Sequence, residues 1–159
     1  MFFKLIKGKD STVVTIYLVL IVLFIIPSII SPVFRSWSNI SNILNQAAPL
    51  GIVSIGQTFI VLLTGLDLSV GSVMSLTTVL CATLMTADPL AIILTTFLCL
   101  AVGAGIGSLN GIFVSKIGLS PLIATLGMMA LVQGVALQIR PYPGGYVPRS
   151  FGSIKETAY

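Results

Sequence analysis

The chain has 159 residues, of which 56% are apolar and only 8% are charged, and its mean hydropathy is +1.11. Soluble domains carry about 25% charged residues, so this composition excludes a water-soluble globule and indicates a surface that faces lipid. The net charge of +4 comes from eight basic residues that are scattered along the sequence, and without a basic stripe the chain is not expected to bind nucleic acid.

The length permits five or six membrane crossings, because one crossing needs about 20 apolar residues. We therefore predict an all-α integral membrane helical bundle, in which residues 1–159 form a single transmembrane region of about five helices with a short break between the second and third. The predicted spans cover approximately residues 12–31, 47–63, 70–86, 90–114 and 120–139.

The first predicted span follows Lys4, Lys7 and Lys9. Its apolar run is longer than the core of about 7–15 residues in a signal peptide, and no small-x-small cleavage pattern follows it, so a retained helix is predicted. Pro27 and Pro32 are expected to kink and then end this helix. Residues 33–45 are more polar and contain the single tryptophan, which favours a position at the lipid headgroups.

The break between the second and third spans reads TGLDLSVGS, from Thr64 to Ser72. The apolar runs on both sides are shorter than ideal. Two short helices that meet at such a break bring irregular backbone to membrane depth, which is tolerated only where protein or a wet cavity satisfies it.

Asp67 lies in this break, near the centre of the apolar part of the chain. An ionisable group in a membrane is costly unless it is paired or hydrated, so Asp67 is a candidate functional residue. The alternative is a helix cap, in which the carboxylate accepts hydrogen bonds from the first free N–H groups of the third span. The two roles are compatible.

Other polar side chains within or beside the spans can bind a ligand or bond to a neighbouring helix. The candidates for a translocation pathway are Gln57, Thr58, Thr64, Asp67, Ser69 and Asn110.

The fourth span carries Gly103, Gly107 and Gly111, which are four residues apart and therefore share one helix face. Such a stripe allows close approach of another backbone, either at a subunit interface or pore wall or in ordinary packing within the chain. After the fifth span, residues 140–159 are rich in Pro, Gly and charge and are predicted to form a loop.

The residue types needed for catalysis or metal binding are scarce. The chain has no histidine, so a Cys/His zinc site cannot form, and Cys81 and Cys99 are expected to be free thiols in apolar surroundings. Without paired carboxylates or a Ser-His-Asp set the chain is predicted to be no enzyme. It lacks GxxxxGK[ST] and is expected to hold no cofactor, so ATP would bind to a separate subunit.

Two segments carry a resemblance to a known family. Residues 51–80, GIVSIGQTFIVLLTGLDLSVGSVMSLTTVL, resemble the permeases of ribose and related monosaccharide ABC importers, as do residues 110–137, NGIFVSKIGLSPLIATLGMMALVQGVAL. The matching positions are Gly56, Thr58, Thr64, Gly65, Asp67, Leu68, Ser69, Val70, Gly71 and Ser72 in the first segment, and Asn110, Gly111, Val114, Pro121, Ile123, Thr125, Leu126, Gly127 and Met129 in the second.

The resemblance implies a multi-pass permease of the inner membrane that imports a ribose-like monosaccharide. The implied partners are an ATP-binding cassette ATPase subunit, an extracytoplasmic sugar-binding protein, a second permease copy and the lipid bilayer. Family members are longer, and the segment that docks on the ATPase lies in the half that is absent here, so the chain is expected to be a truncated N-terminal half. The alternatives are a non-transporting membrane fragment or helical scaffold and, with less support, a secondary transporter. If the N-terminal lysines stay in the cytoplasm, five crossings place Lys116 there as well.

Overall fold

The computed structural model describes residues 11–142 and residue 144. These residues form five α-helices and no strand, which confirms the all-α prediction. We number the helices in chain order: α1 is Ser11–Ile30, α2 is Trp37–Leu62, α3 is Val70–Leu84, α4 is Pro89–Ser115 and α5 is Pro121–Ile139. By their contacts the residues form two units, one up to Ile52 and one from Val53 onward, with the boundary inside α2.

Four of the five helices, α1, α2, α4 and α5, are long and apolar enough to cross a membrane. The remaining helix, α3, has 15 residues and is about 22 Å long at 1.5 Å per residue. That length is less than the hydrocarbon thickness of about 30 Å. A crossing at this point therefore needs both α3 and the irregular segment that precedes it.

In the first unit, α1 ends close to its predicted boundary. The helix continues through Pro27 and ends at Ile30, before Pro32. The N–H of Ser31 still donates to the carbonyl of Pro27 at 2.9 Å. The rings of Phe24 and Phe34 then meet edge to face, with centroids 5.4 Å apart, and pack the turn after the helix.

α2 begins at Trp37, ten residues before the predicted second span at 47. The reason is a local cap: the hydroxyl of Ser36 accepts a hydrogen bond from the N–H of Asn39 at 3.3 Å, as a helix N-cap does. The amide of Asn39 also donates to the carbonyl of Phe34 at 3.0 Å. The polar residues that interrupt the apolar pattern therefore belong to the first turns of a longer helix, which also contains Pro49.

The core of the second unit lies where α3, α4 and α5 meet. Its buried side chains are Leu76, Ile106, Met128, Val132 and Ala136. The last three recur every four residues and so form one stripe along α5. α3 contacts both α4 and α5, and more extensively α5. Between apolar helices in lipid, association depends on such close van der Waals packing.

Among the described residues, the glycine stripe of α4 meets a neighbouring side chain only at its first member. A Cβ added to Gly103 would lie 3.9 Å from Cγ1 of Val73 on α3, whereas a Cβ on Gly107 or Gly111 would meet no atom within 4 Å. Gly107 and Gly111 therefore present an open backbone face, and a packing role for them is still a prediction.

The two cysteines come together across α3 and α4. The Sγ atoms of Cys81 and Cys99 are 3.7 Å apart, and both thiols are free, as the sequence predicted. Since rotation about the Cα–Cβ bonds can close the remaining gap, a membrane-permeable oxidant such as copper phenanthroline should join them in the membrane-embedded protein. Free thiols would be counted with and without oxidation, and the Cys99→Ala variant is the control. Two titratable thiols after oxidation would contradict the packing of α3 on α4.

Candidate functional site

The candidate site is the break between α2 and α3, and it starts with a specific helix end. The N–H of Gly65 donates to the carbonyl of Ile60 at 2.9 Å, and the N–H of Thr64 donates to that of Val61 at 2.9 Å. This pair of bonds is a Schellman motif, which requires a left-handed residue at the position of Thr64. Thr64 has φ 58°. Glycine normally occupies this position, and a β-branched residue there is strained.

Gly65 lies at a close approach to the last turn of α2. A Cβ at this position would lie 3.1 Å from Cγ2 of Ile60 and 3.3 Å from its carbonyl oxygen. The chain therefore turns tightly at the end of α2 and sends the next residues toward the start of α3.

Asp67 organises the start of α3. Its Oδ1 atom accepts hydrogen bonds from the N–H of Ser69 at 2.8 Å and from the hydroxyl of Ser69 at 2.6 Å. Ser69 is the N-cap residue of α3, and its own side chain makes no cap bond to that helix. A carboxylate here also lies at the positive end of the helix dipole. The carboxylate therefore bonds to the N-cap residue itself, and not to the first free N–H groups of α3 as the predicted cap would.

Asn110 connects α4 to this arrangement. Its Nδ2 atom donates to the hydroxyl oxygen of Ser69 at 2.9 Å, so that Asp67, Ser69 and Asn110 form a hydrogen-bonded chain. Ser69 is 1% exposed and Asn110 is 6% exposed. The Oδ1 atom of Asn110 is buried and has no partner among the described residues.

Two further side chains satisfy carbonyl groups of the break. Nε2 of Gln57, on α2, donates to the carbonyl of Asp67 at 3.0 Å. Oγ1 of Thr125, on α5, lies 3.3 Å from the carbonyl of Leu66. Helices α2, α4 and α5 thus each supply a polar side chain to the break, which is what irregular backbone away from water requires.

Four of the six predicted pathway residues therefore meet: Gln57, Asp67, Ser69 and Asn110. The other two do not join them. The hydroxyl of Thr58 donates to the carbonyl of Ser54 in its own helix at 2.7 Å. The hydroxyl of Thr64 bonds to the carbonyl of Leu63 at 2.7 Å.

Thr125 was not among the predicted site residues. Its position in the second motif was a signal for a functional role, but a threonine inside a span usually bonds to its own helix. The single hydroxyl hydrogen of Thr125 is shared between the carbonyl of Pro121 in its own helix, at 2.8 Å, and the carbonyl of Leu66, at 3.3 Å.

A cleft of about 350 Å³ adjoins the break. Its polar lining comes from Asp67, Asn110, Ser115 and Thr125, and its other lining residues are Ile60, Leu63, Gly65, Leu66, Gly107, Gly111, Val114 and Pro121. Both hydrogen bonds to the Asp67 carboxylate fall on Oδ1. Oδ2 has no partner in the described part of the chain and is available to a donor in this cleft.

The described residues contain no group of three or more His, Cys, Asp or Glu side chains that could hold a metal ion.

The bond between Ser69 and Asn110 can be measured by a double-mutant cycle. The variants Ser69→Ala, Asn110→Ala and the double variant should give a coupling free energy of about 0.6–1.7 kcal/mol, the range found between helices in membranes. Reversible unfolding in mixed micelles, followed by helical circular dichroism, provides the measurement. Coupling indistinguishable from zero would show that the bond does not hold α4 to the break.

The strain at Thr64 predicts the effect of two substitutions. Thr64→Gly should stabilise the protein by up to about 1 kcal/mol, since glycine adopts positive φ without steric cost. Gly65→Ala should destabilise it, because the new Cβ meets Ile60. The same unfolding experiment tests both, with Gly56→Ala as the control, since a Cβ there has open space. A destabilising Thr64→Gly would contradict the left-handed conformation.

Comparison with known proteins identifies a family whose matched residues include the whole break. Residues 39–152 match the family model described as "Branched-chain amino acid transport system / permease component". This range includes Gln57, Asp67, Ser69, Asn110 and Thr125. No solved structure shows a significant match to the chain.

Several curated relatives are named as sugar import permeases. The chain is 39% identical over 121 residues to the ribose import permease protein RbsC of Haemophilus influenzae, covering 76% of this chain and 37% of that protein. It is 41% identical over 123 residues to RbsC of Bacillus subtilis, with coverages of 76% and 37%. It is 35% identical over 133 residues to the galactose/methyl galactoside import permease protein MglC of Escherichia coli, with coverages of 76% and 39%.

The chain therefore spans less than two fifths of the length of these curated relatives. The relatives confirm the resemblance to monosaccharide importer permeases that the two sequence motifs predicted, and the apolar helices agree with a multi-pass membrane protein. With most of its residues matched by one family model, the chain belongs to the family of branched-chain amino acid transport system permease components.

Proposed function

We propose that this chain is a membrane-spanning part of the permease of an ATP-driven importer for a ribose-like monosaccharide. The observation that carries the proposal is the identity of 39% and 41% to two ribose import permeases over about three quarters of the chain. A relative named as a D-allose permease, 35% identical, supports a sugar rather than an amino acid as the substrate.

Within such a permease, α2–α5 would supply one wall of the sugar pathway, with the segment from Thr64 to Ser72 nearest to the substrate. The free Oδ2 atom of Asp67 supports this placement, because a sugar hydroxyl can donate a hydrogen bond to a carboxylate. Gln57, Ser69 and Asn110 would then hold Asp67 in position. Thr58 and Thr64 are weaker candidates, since their hydroxyl groups already bond to nearby carbonyls.

The energy for import would come from other subunits. We propose that an ATP-binding cassette ATPase binds and hydrolyses the nucleotide, that an extracytoplasmic binding protein delivers the sugar, and that a second permease copy completes the pathway. The chain itself would catalyse no reaction and hold no cofactor. Closure of the ATPase would rock the permease copies about the substrate, which is alternating access by rigid-body motion. The N-terminus would lie on the cytoplasmic side of the inner membrane.

A non-transporting membrane fragment or helical scaffold is the competing proposal. The observation that favours it is the open backbone face at Gly107 and Gly111, where another helix can approach closely.

Substitution of Asp67 tests the proposed pathway role. Asp67→Asn keeps an acceptor for the N–H of Ser69 but removes the charge, whereas Asp67→Ala removes both. We expect uptake of labelled ribose to fall by roughly 10- to 100-fold in both variants, which corresponds to about 1.5–3 kcal/mol for a hydrogen bond to a charged group. Uptake is measured in cells that also contain the ATPase and binding protein.

Asp88→Asn is the matched control. Asp88 also accepts a hydrogen bond from the N–H two residues later, at 3.4 Å from Leu90, but it lies outside the break, at the start of α4. This variant should transport like the unmodified chain. Normal uptake by both Asp67 variants would remove that residue from the pathway, and no uptake by the unmodified chain with its partners would favour the scaffold.

A further inference from the structure

A second cleft, of about 590 Å³, lies between α3 and α5. Its volume falls within the roughly 300–1,000 Å³ that is typical of small-molecule sites. Its polar lining includes Ser75, Thr78, Gln133, Arg140 and Tyr142. None of them belongs to the hydrogen-bonded set of the break.

The polar residues of this cleft are aligned on two facing helices. Ser75 and Thr78 are three residues apart on α3, and Gln133 and Arg140 are two helical turns apart on α5 and at its end. Residues at such spacings lie on one side of a helix. The two helices therefore direct hydrogen-bonding groups into the same space.

Two polar residues of the cleft, Ser75 and Gln133, are unpaired among the described residues. Both are partly buried, and neither side chain forms a hydrogen bond in the part of the chain that the structure describes. Other hydroxyl groups in α3 and in the neighbouring α4 are satisfied locally: Thr83 donates to Val79, Thr96 to Ile92, and Ser108 to Ala104, all at 2.7–2.8 Å. Ser75 is an exception to this pattern.

An unpaired amide such as that of Gln133 is costly in hydrocarbon, by several kcal/mol. Glutamine offers two donor hydrogens and an acceptor oxygen, and serine offers a donor and an acceptor. Because the described residues supply no partner, water or another molecule in the cleft would satisfy these groups.

The remaining lining residues fit a neutral polyhydroxyl molecule. Arg140 uses one donor on the carbonyl of Ala82, at 3.4 Å, in the last turns of α3, where the helix dipole is negative and offsets its charge. Its other donors have no partner among the described residues and can bond a hydroxyl. Tyr142 is 79% exposed and offers an aromatic ring at the rim, and no carboxylate lines the cleft among the described residues.

We propose that the cleft between α3 and α5 is a hydrated binding site for a monosaccharide. Ser75 and Gln133 bond the sugar hydroxyl groups from opposite walls, and Arg140 bonds them from the end of α5. The identity of the ligand as a sugar rests on the proposed function, whereas the hydration of the cleft does not.

Thiol accessibility tests both parts of the proposal. In a background carrying Cys81→Ala and Cys99→Ala, single cysteines are introduced by Gln133→Cys on α5 and by Ser75→Cys on α3. Each is treated with a membrane-impermeant methanethiosulfonate in right-side-out and inside-out vesicles, with and without D-ribose, galactose or allose. We expect both thiols to react, and at least one of the three sugars to slow the reaction severalfold.

Gln138→Cys is the matched control, because Gln138 is an exposed glutamine on the same helix that does not line the cleft. Its reaction rate should be unaffected by sugar. Failure of the Gln133→Cys and Ser75→Cys thiols to react would show that the cleft is closed and overturn the proposal. Reaction without protection by any of the sugars would overturn the sugar site, as would protection by inorganic phosphate in place of sugar.

Ribose uptake by the cysteine-free background is measured separately, with the ATPase and binding protein present. Uptake without protection in the cleft would leave the proposed function intact and overturn this site alone. Protection without uptake would support the site and count against the proposed function.

Discussion

Irregular backbone between two membrane helices is stable only if its polar groups are satisfied. This constraint explains why side chains of α2, α4 and α5 meet at the break in the second unit of the chain. The carbonyl groups of Leu66 and Asp67 are bonded by Thr125 and Gln57, while the Asp67 carboxylate, Ser69 and Asn110 form a continuous chain of hydrogen bonds. Water could do the same work in a soluble loop, but in hydrocarbon each missing bond costs several kcal/mol. Side chains from three helices therefore converge on a segment of a few residues, and the packing of those helices is fixed in part by the need to reach it.

Much of this was predictable from the sequence. The apolar runs, the prolines and the polar interruption at Thr64 to Ser72 indicated five helices and a break, because each of these features has a direct cost or benefit in lipid. The start of α2 at Trp37 was not predictable from apolarity, since the cap at Ser36 and the polar first turns contribute nothing to the hydrophobic pattern. The convergence of Gln57, Asp67, Ser69 and Asn110 was predicted as a set of candidates, but not as contacts. The spacing of residues in the sequence shows which of them share one face of a helix. Contacts between two helices also depend on how each helix is rotated about its axis and how deep it lies in the membrane.

Thr125 and Gln133, which were not among the predicted site residues, show the same limit. By residue type each looks like an ordinary polar residue of an apolar helix. In the structure Thr125 reaches the break, and Gln133 lies on a cleft without a partner among the described residues. The two glycines at 107 and 111 likewise share a face with Gly103, but among the described residues only a Cβ added to Gly103 would meet a side chain within 4 Å. A periodic pattern shows which residues share a helix face, but not how far along the helix axis each residue lies. That position decides which of these similar residues has a neighbour.

Thr64 has a consequence for conformational change. Its left-handed backbone raises the free energy of the observed turn by of the order of 1–3 kcal/mol relative to an unstrained one. Any rearrangement that releases this residue recovers that energy, and each 1.4 kcal/mol recovered makes the rearranged form about tenfold more populated than it would otherwise be. A ligand or neighbouring subunit that prefers the rearranged form then needs correspondingly less binding energy to shift the equilibrium. The segment from Thr64 to Ser72 is otherwise well hydrogen-bonded, but this strain allows a molecule that binds beside it to change its conformation.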